Sequence, residues 1–274
     1  DKILGVMLVE EPDPRSKPGS ASRSPNQRMR ERRLEITTGI SQQVALAIQN
    51  DGLQREMLVR DRLEREMQLA RQIQQTFLPR QMPELDHYEL NLWWRTAREV
   101  GGDFYDVIPL NESTAGFFIG DVSGKGVSAA LIMAQAISLL RVLSRTSRDP
   151  SEVLYALNNQ LKPLLNGRFV TGQYIVVDPQ QGLWRGSCAG HPGCFMVNKT
   201  REALQEVLQA SGPPLGLVEN IKYITVTHEF EAGDRLFMYT DGWTEARSKA
   251  GKEFGLDNLK SAVLADRTMN IDDT

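Results

Sequence analysis

The sequence predicts an α+β fold built in layers, and three observations carry that expectation. An apolar periodicity of about 3.6 residues holds from Leu34 to Pro79, and after Pro83 it gives way to two-residue alternation and short apolar runs. The later segments read as strands, then helices, then strands, joined by turns such as Asp178-Pro179 and Gly190-His191-Pro192-Gly193; this is not the order of a repeating βαβ unit. The composition is that of a folding chain, with 274 residues, 41% hydrophobic and 24% charged, enough to bury a core without disulfides.

In chain order, Ile3–Val9 reads as a buried strand. A strand pairs with nothing alone, so residues before Asp1 are expected in the natural protein and the chain is expected to be a fragment. Glu11 to Asn26, with Pro12, Pro14, Pro18 and Pro25, reads as a loop. The arginines that continue it, Arg28, Arg30, Arg32 and Arg33, are read as a solvated helix start and assigned no function. From Leu34 the pattern is helical: Ile36, Ile40, Val44, Ala47 and Ile48 recur at helical steps. Val59, Leu63, Ala70, Ile73 and Phe77 then form a narrower stripe at about the 3.5-residue spacing of a coiled-coil seam, interrupted at Glu66. Two readings stay open here: a signalling helix or parallel dimer stalk, and a single amphipathic helix packed against its own domain.

Beyond Pro83, the alternation of Tyr88, Leu90, Leu92 and Trp94 predicts a strand, and Gly116–Val122 a buried one. Val127–Leu143 and Ser151–Leu165 are predicted helices, the second capped by Ser151. Strands are predicted at Phe169–Val177, Gly182–Ala189, Phe195–Asn198, Tyr223–Phe230 and Arg235–Thr240. Glu253–Ala265 reads as a helix with Leu256, Leu259 and Val263 on one face.

Charge and cysteine usage narrow the function classes. Thirty-two Lys+Arg against 35 Asp+Glu give a formal net charge of -3, which supplies no global field for nucleic acid or an anionic membrane. The apolar runs fall short of the ~20 residues that span a bilayer. Cys188 and Cys194 are too few for a disulfide scaffold, and a reducing cytoplasm is the expected location.

Three acidic positions share one pattern, an Asp at a strand end or turn with Gly beside it: Asp103 in Val100–Asp106, Asp121 in Phe118–Gly126, and Asp241 in Met238–Gly242. A carboxylate there is not buried cheaply without a partner, whereas hard divalent cations take oxygen ligands from rigid strand ends. Glycine lets backbone carbonyls and water approach an ion. Any one of the three alone would read as a turn Asp bonding its own backbone; together they point to a metal.

At these residues the sequence resembles the PPM-type (PP2C-like) bacterial serine/threonine phosphatases of the SpoIIE/RsbU branch. The resemblance runs from about Arg71 to Gly255 and rests on Ala70–Pro79, Val100–Asp106, Gly120–Gly126, Ala189–Pro192, Pro214–Gly216 and Gly233–Ala246. The earlier segment, through Ser41–Asn50, is similar to the closing helix of a GAF sensor domain. The resemblance implies a sandwich of two antiparallel sheets flanked by helices and preceded by a long helical linker. It implies two Mn2+ or Mg2+ ions held by Asp103, Asp121, the backbone carbonyl of Val122, and Asp241. A metal-bound water would attack the phosphorus of a phosphoserine or phosphothreonine without a covalent enzyme intermediate. The implied organisation is a GAF-like remnant over 1–50, a helical linker over 51–79, and a phosphatase domain over 80–274 truncated at its C-terminus. The implied partner is a phosphorylated regulatory protein such as a STAS-domain anti-sigma-factor antagonist. No nucleic acid and no membrane span are expected, and the linker is a candidate homodimer contact.

Two departures from the wider family matter. Where metazoan-type members carry a His after the metal-binding Asp-Gly, this chain has Ser123, which leaves the general acid unassigned. Asp272 and Asp273 stand nearer the Phe254-Gly255 landmark than the family's late metal-binding aspartate and are not counted as ligands. Rival chemistries fit less well. Gly101-Gly102-Asp103-Phe104 lacks the Glu of a diguanylate cyclase signature, and Lys125 is followed by Gly126, not by the Ser/Thr of a phosphate-binding loop. Arg201 is one residue too far from Cys194 for a cysteine phosphatase loop. Cys188, His191 and Cys194 have close spacing but no fourth zinc ligand nearby, so they read as a turn with two buried thiols. The alternative of another class is a catalytically silent module of this fold that acts by partner binding.

Overall fold

The computed structural model describes residues 25–95, 100–198 and 204–265. The expected strand Ile3–Val9, most of the proline-rich loop, and Asp272-Asp273 lie outside the described residues. The chain divides into two compact units, 1–66 and 67–274. The described part of the first is helical and belongs to α1 (Pro25–Phe77), which continues without a break into the second. No proline interrupts α1 after its first residue, and ion pairs one turn apart, Arg55–Asp51, Arg60–Glu64 and Arg62–Glu66, line its surface. It stops two residues before Pro79. The apolar stripe is exposed along most of its length, including Ile36, Ile40, Val44, Val59, Leu63 and Ile73.

The second unit contains β1 (Phe104–Pro109), β2 (Ala115–Val122), α2 (Val127–Leu143) and α3 (Pro150–Leu161), the last running into a short 3-10 turn at Lys162–Leu164. There follow β3 (Val170–Asp178), β4 (Leu183–Ala189), β5 (Cys194–Val197), β6 (Leu204–Leu208), β7 (Val226–Glu229), β8 (Arg235–Phe237), α4 (Asp241–Thr244) and α5 (Leu256–Ala265). One sheet has the order β1-β2-β3-β4-β7 and the other β6-β5-β8, and every ladder between these strands is antiparallel.

Side-chain alternation assigns the faces. Along β3, Tyr174 and Val176 point to a core shared with α2 and α3, where Met133, Ile137, Leu140, Leu154 and Leu157 are fully buried. Ile175 and Val177 point the other way, into a second core with Trp184, Cys188, Cys194 and Leu208 between the two sheets. The three-stranded sheet is covered on its far side by α5, through Leu259 against Phe195 and Tyr239. The layers are therefore helices, sheet, sheet, helix: an α+β fold with a β-sandwich between helical layers.

Three element expectations change. Tyr88–Trp94 is not a strand; apart from an isolated bridge between Leu85 and Tyr88 it makes no ladder. Its alternation is nevertheless realised, since Tyr88, Leu90, Leu92 and Trp94 are half-buried while the residues between them are exposed. An extended segment laid across packed surfaces gives the same sequence signal as a paired strand. Ser151 is not the cap of α3: Asp149 is, accepting from the Ser151 and Glu152 amides, with Pro150 opening the helix. Two strands went unanticipated, β1 inside the Asp103 motif and β6, whose exposed Gln205 and Glu206 hide its pattern.

One ion pair ties three of these elements. Arg141 on α2 donates Nε to Asp106 Oδ2 at 2.7 Å and Nη2 to Asp106 Oδ1 at 2.9 Å, and Nη2 also donates to the Phe77 carbonyl that closes α1, at 2.7 Å. The Asp106 side chain is fully buried on β1, and burial pushes its carboxyl above the ordinary range while Arg141 opposes that shift. Removing Arg141 strands a buried charge, although the guanidinium itself is partly exposed. Arg141→Met is therefore expected to destabilise by about 3 kcal/mol, the lower end for breaking such a pair, measured by urea unfolding at pH 7.

Candidate metal centre

Antiparallel register brings the first two aspartates together. Phe104 pairs with Gly120 across β1 and β2, so one step further along each strand sets Asp103 opposite Asp121, with both side chains on one face. Asp241 arrives from the other sheet, as the first residue of α4 beyond β8. One carboxylate oxygen from each of Asp103, Asp121 and Asp241 lies within 4.8 Å of the others. Ligands across a single hard divalent ion stand about 4–5 Å apart, so the spacing and the all-oxygen donor set fit such an ion.

Backbone close approach makes this possible at two glycines. A Cβ on Gly102 would lie 2.6 Å from the Val122 carbonyl oxygen and 2.8 Å from Asp121 Oδ1, and one on Gly242 would lie 3.0 Å from Asp103 Oδ2. Side chains there would fill the space between the carboxylates. The same proximity puts the Val122 carbonyl at the edge of the cluster.

The supporting contacts are specific. Thr240 Oγ1 donates to Asp103 Oδ2 at 3.1 Å, and the Trp94 indole N–H donates to the Asp103 carbonyl at 3.1 Å. Gln74, on the last turns of α1 and only 3% exposed, donates Nε2 to the Gly101 carbonyl at 2.7 Å and accepts from the Gly101 amide at 3.3 Å. The end of α1 thus grips the loop that presents Asp103. His191 is buried; its Nδ1 lies 2.8 Å from Thr171 Oγ1 and its Nε2 lies 3.0 Å from the Tyr239 carbonyl. Outside the cluster, the Trp93 and Trp243 rings pack 4.9 Å apart with both residues exposed, two residues beyond Asp241 on one side.

Electrostatics mark the cluster. Burial first, then the hydrogen bond and charge of Asp103 and the charge of Asp241, push the Asp121 carboxyl up to about 8. Burial and the charge of Asp103 push Asp241 upward as well. Burial lowers His191 to about 4, so the ring is neutral near pH 7. Burial raises the Cys188 and Cys194 thiols to about 11 and about 12, which leaves both unreactive.

All three sequence-singled aspartates and Val122 therefore meet at one place. The Ser123 hydroxyl accepts from the Phe169 amide at 2.9 Å, and its own amide donates to the Phe169 carbonyl at 2.9 Å, stitching the Asp121 loop to the start of β3. The zinc alternative ends at His191, whose two ring nitrogens are both engaged. Gln74, Trp94 and Thr240 were missed from the sequence. Gln74 carried one usable signal, a polar side chain one residue from the apolar stripe position Ile73.

Two antiparallel sheets between helical layers, with three aspartates gathered where β1 begins and β2 and β8 end, define the PP2C-like class of fold. The chain belongs to the SpoIIE (stage II sporulation protein E) family, which residues 111–273 match. It is 31% identical over 228 residues to protein IcfG of Synechocystis sp., covering 73% of this chain and 36% of that one. It is 27% identical to the phosphoserine phosphatase RsbU of Bacillus subtilis, covering 70% and 57%. The chain thus spans between about a third and just over half of the length of these relatives. In fold it is similar to the PP2C domain of SiaA from Pseudomonas aeruginosa, with a TM-score of 0.68 at 22% identity, over 78% of this chain and 86% of that one. Among the described residues no helix is long and apolar enough to cross a membrane.

The raised Asp121 pKa has a stability consequence in chelator-treated protein. The folded state holds that proton between the ordinary carboxylate range and about pH 8 while the unfolded chain does not, so this contribution is complete below about pH 4 and is lost as pH rises through about 8. Asp121→Asn removes the titration. In EDTA, the melting temperature of the wild type relative to Asp121→Asn is expected to fall steadily from pH 5 to pH 8, read by differential scanning fluorimetry.

Proposed function

We propose that the chain is a metal-dependent protein serine/threonine phosphatase that hydrolyses phosphoserine or phosphothreonine on a regulatory protein. The observation that carries the reading is the convergence of the Asp103, Asp121 and Asp241 carboxylates within 4.8 Å. In this reading those three and the Val122 carbonyl hold two ions, Mn2+ or Mg2+. The ions, when bound, supply a water of lowered pKa and offset negative charge on the phosphoryl oxygens. The chain's own part is to hold the oxygens in place: Thr240 orients Asp103 by its Oδ2, Trp94 and Gln74 fix the backbone on either side of Gly102, and the two glycines keep the space open.

The proposed substrate is a phosphorylated STAS-domain anti-sigma-factor antagonist. Two things support a phosphoserine protein: the relatives RsbU and RsbP of Bacillus subtilis are phosphoserine phosphatases, and the exposed Trp93–Trp243 pair offers apolar surface beside Asp241 that a protein would cover. A cytoplasmic location fits the two free thiols. The proposed organisation is a GAF-like remnant over 1–50, a helical linker over 51–79 and the phosphatase domain over 80–274.

The deciding experiment is hydrolysis of p-nitrophenyl phosphate and of a serine-phosphorylated STAS-domain protein by the full-length protein, with and without Mn2+. Activity is expected to require the metal and to fall at least about 100-fold in kcat for Asp241→Asn. Near-normal activity in that variant refutes the assignment, and silence of the wild type toward both substrates favours a module that acts by binding a partner.

The exposed stripe on α1 supports a homodimer through the linker, since Leu63 and Ile73 are 53% and 52% exposed in the single chain. Sedimentation of the full-length protein is expected to show concentration-dependent dimers that Leu63→Asp abolishes; a strict monomer in the wild type overturns this part.

A further inference from the structure

We infer that His191 is a positioning residue that sets the reach of Asp241 toward Asp121, on the reading of this cluster as a metal centre. The two carboxylates come from different sheets, Asp121 from β2 and Asp241 from the turn beyond β8, and none of the described ladders joins those strands. Something other than sheet hydrogen bonding has to fix their separation.

The imidazole spans that gap. Thr171 pairs directly with Asp121 in the β2–β3 register, and its hydroxyl meets His191 Nδ1 at 2.8 Å. At the other end of the ring, Nε2 meets the carbonyl of Tyr239, two residues before Asp241, at 3.0 Å. A carbonyl only accepts, so Nε2 carries the proton, Nδ1 of the neutral ring accepts, and the Thr171 hydroxyl donates. The ring is a strut from the strand beside Asp121 to the backbone that delivers Asp241.

The strut is anchored at its base. Cys188 Sγ donates to the His191 carbonyl at 3.3 Å, and Gln173 Nε2 donates to the Pro192 carbonyl at 3.1 Å. Gly190 precedes it at φ 61, in a conformation that favours glycine, and a Cβ there would meet the Pro214 ring at 2.5 Å. At 4% exposure the ring does not reach substrate, so it acts through Tyr239 and Thr171 alone. It stands one bond further out than the partners that touch metal ligands directly, whose loss typically lowers metal affinity about 10–100-fold, so the effect of its own loss belongs at the lower end of that range.

The two bonds separate by substitution. In His191→Gln the side-chain amide can replace Nε2–H toward Tyr239, whereas in His191→Asn the side-chain oxygen can replace Nδ1 toward Thr171 and the Tyr239 bond is lost. Mn2+ affinity of the full-length protein is measured by calorimetry, and thermal stability in EDTA is measured in parallel. The expected result is about tenfold weaker Mn2+ binding in His191→Asn, which loses the tie to the backbone that delivers Asp241, and only about threefold weaker binding in His191→Gln, which loses the tie to Thr171, at similar losses of melting temperature. Equal Mn2+ affinity in the two variants, or an affinity that merely tracks melting temperature, overturns the inference and leaves the metal centre standing. A wild type that binds no Mn2+ refutes the metal reading itself. Thr171→Val, nearly isosteric, covers the case in which the His191 variants do not fold: like His191→Gln it removes the Thr171 bond and keeps the Tyr239 one, and it is expected to weaken Mn2+ binding by about the same threefold, wild-type affinity again overturning the inference.

Discussion

Three carboxylates within 4.8 Å of one another are the constraint on which the rest of this structure turns. Like charges at that separation repel, and partial burial removes the water that would screen them. The fold must therefore hold the three groups where they do not relax apart. It does so with backbone geometry: a β1–β2 register that sets Asp103 opposite Asp121, and glycines at 102 and 242 that leave no side chain in the space between them. Thr240, whose hydroxyl donates to Asp103, and the backbone amides of Val122 and Gly242, which bond Asp121 and Asp241, supply compensation within the protein.

The layered architecture follows from the same requirement of rigidity. The five-stranded sheet is apolar on both faces, which lets α2 and α3 clamp one side while the smaller sheet closes the other. A strand packed on both faces has little freedom to shift, so β2 delivers Asp121 from a fixed position. Asp241 comes from a three-stranded sheet with a smaller core, and its lead-in is tied to the larger sheet through His191 and Thr240. The polar contacts at this end thus substitute for core packing where the core is thin.

The long helix α1 ends in the same neighbourhood. Gln74 holds Gly101 by two hydrogen bonds, and three residues further along α1 Arg141 captures the carbonyl of Phe77 while paired with buried Asp106. The terminus of α1 is therefore fixed to both ends of the segment that carries Asp103. A helix is stiff along its axis, so a displacement of its last turns would be passed to that segment, not absorbed by a loop.

Much of this was legible in the sequence where the signal is local. Helical periodicity marked α1, α2, α3 and α5, apolar runs marked β2 to β5, and the Asp-Gly pattern singled out Asp103, Asp121 and Asp241 because turn chemistry and metal chemistry both leave short-range traces. Tertiary structure decided whatever depends on a partner distant in the chain. Tyr88–Trp94 alternates as a strand does, yet no neighbouring strand pairs with it, and pairing is not written in the alternation. Ser123 stands where the wider family carries a candidate general acid, and its hydroxyl bonds the backbone of Phe169, 46 residues away. His191 read as a turn residue near two thiols until Thr171 and Tyr239 appeared at its two nitrogens. Sequence alone determined which residue types and spacings were available for an oxygen-rich cation site; only the fold determined their separation, because distances between side chains on different sheets are set by packing and not by order along the chain.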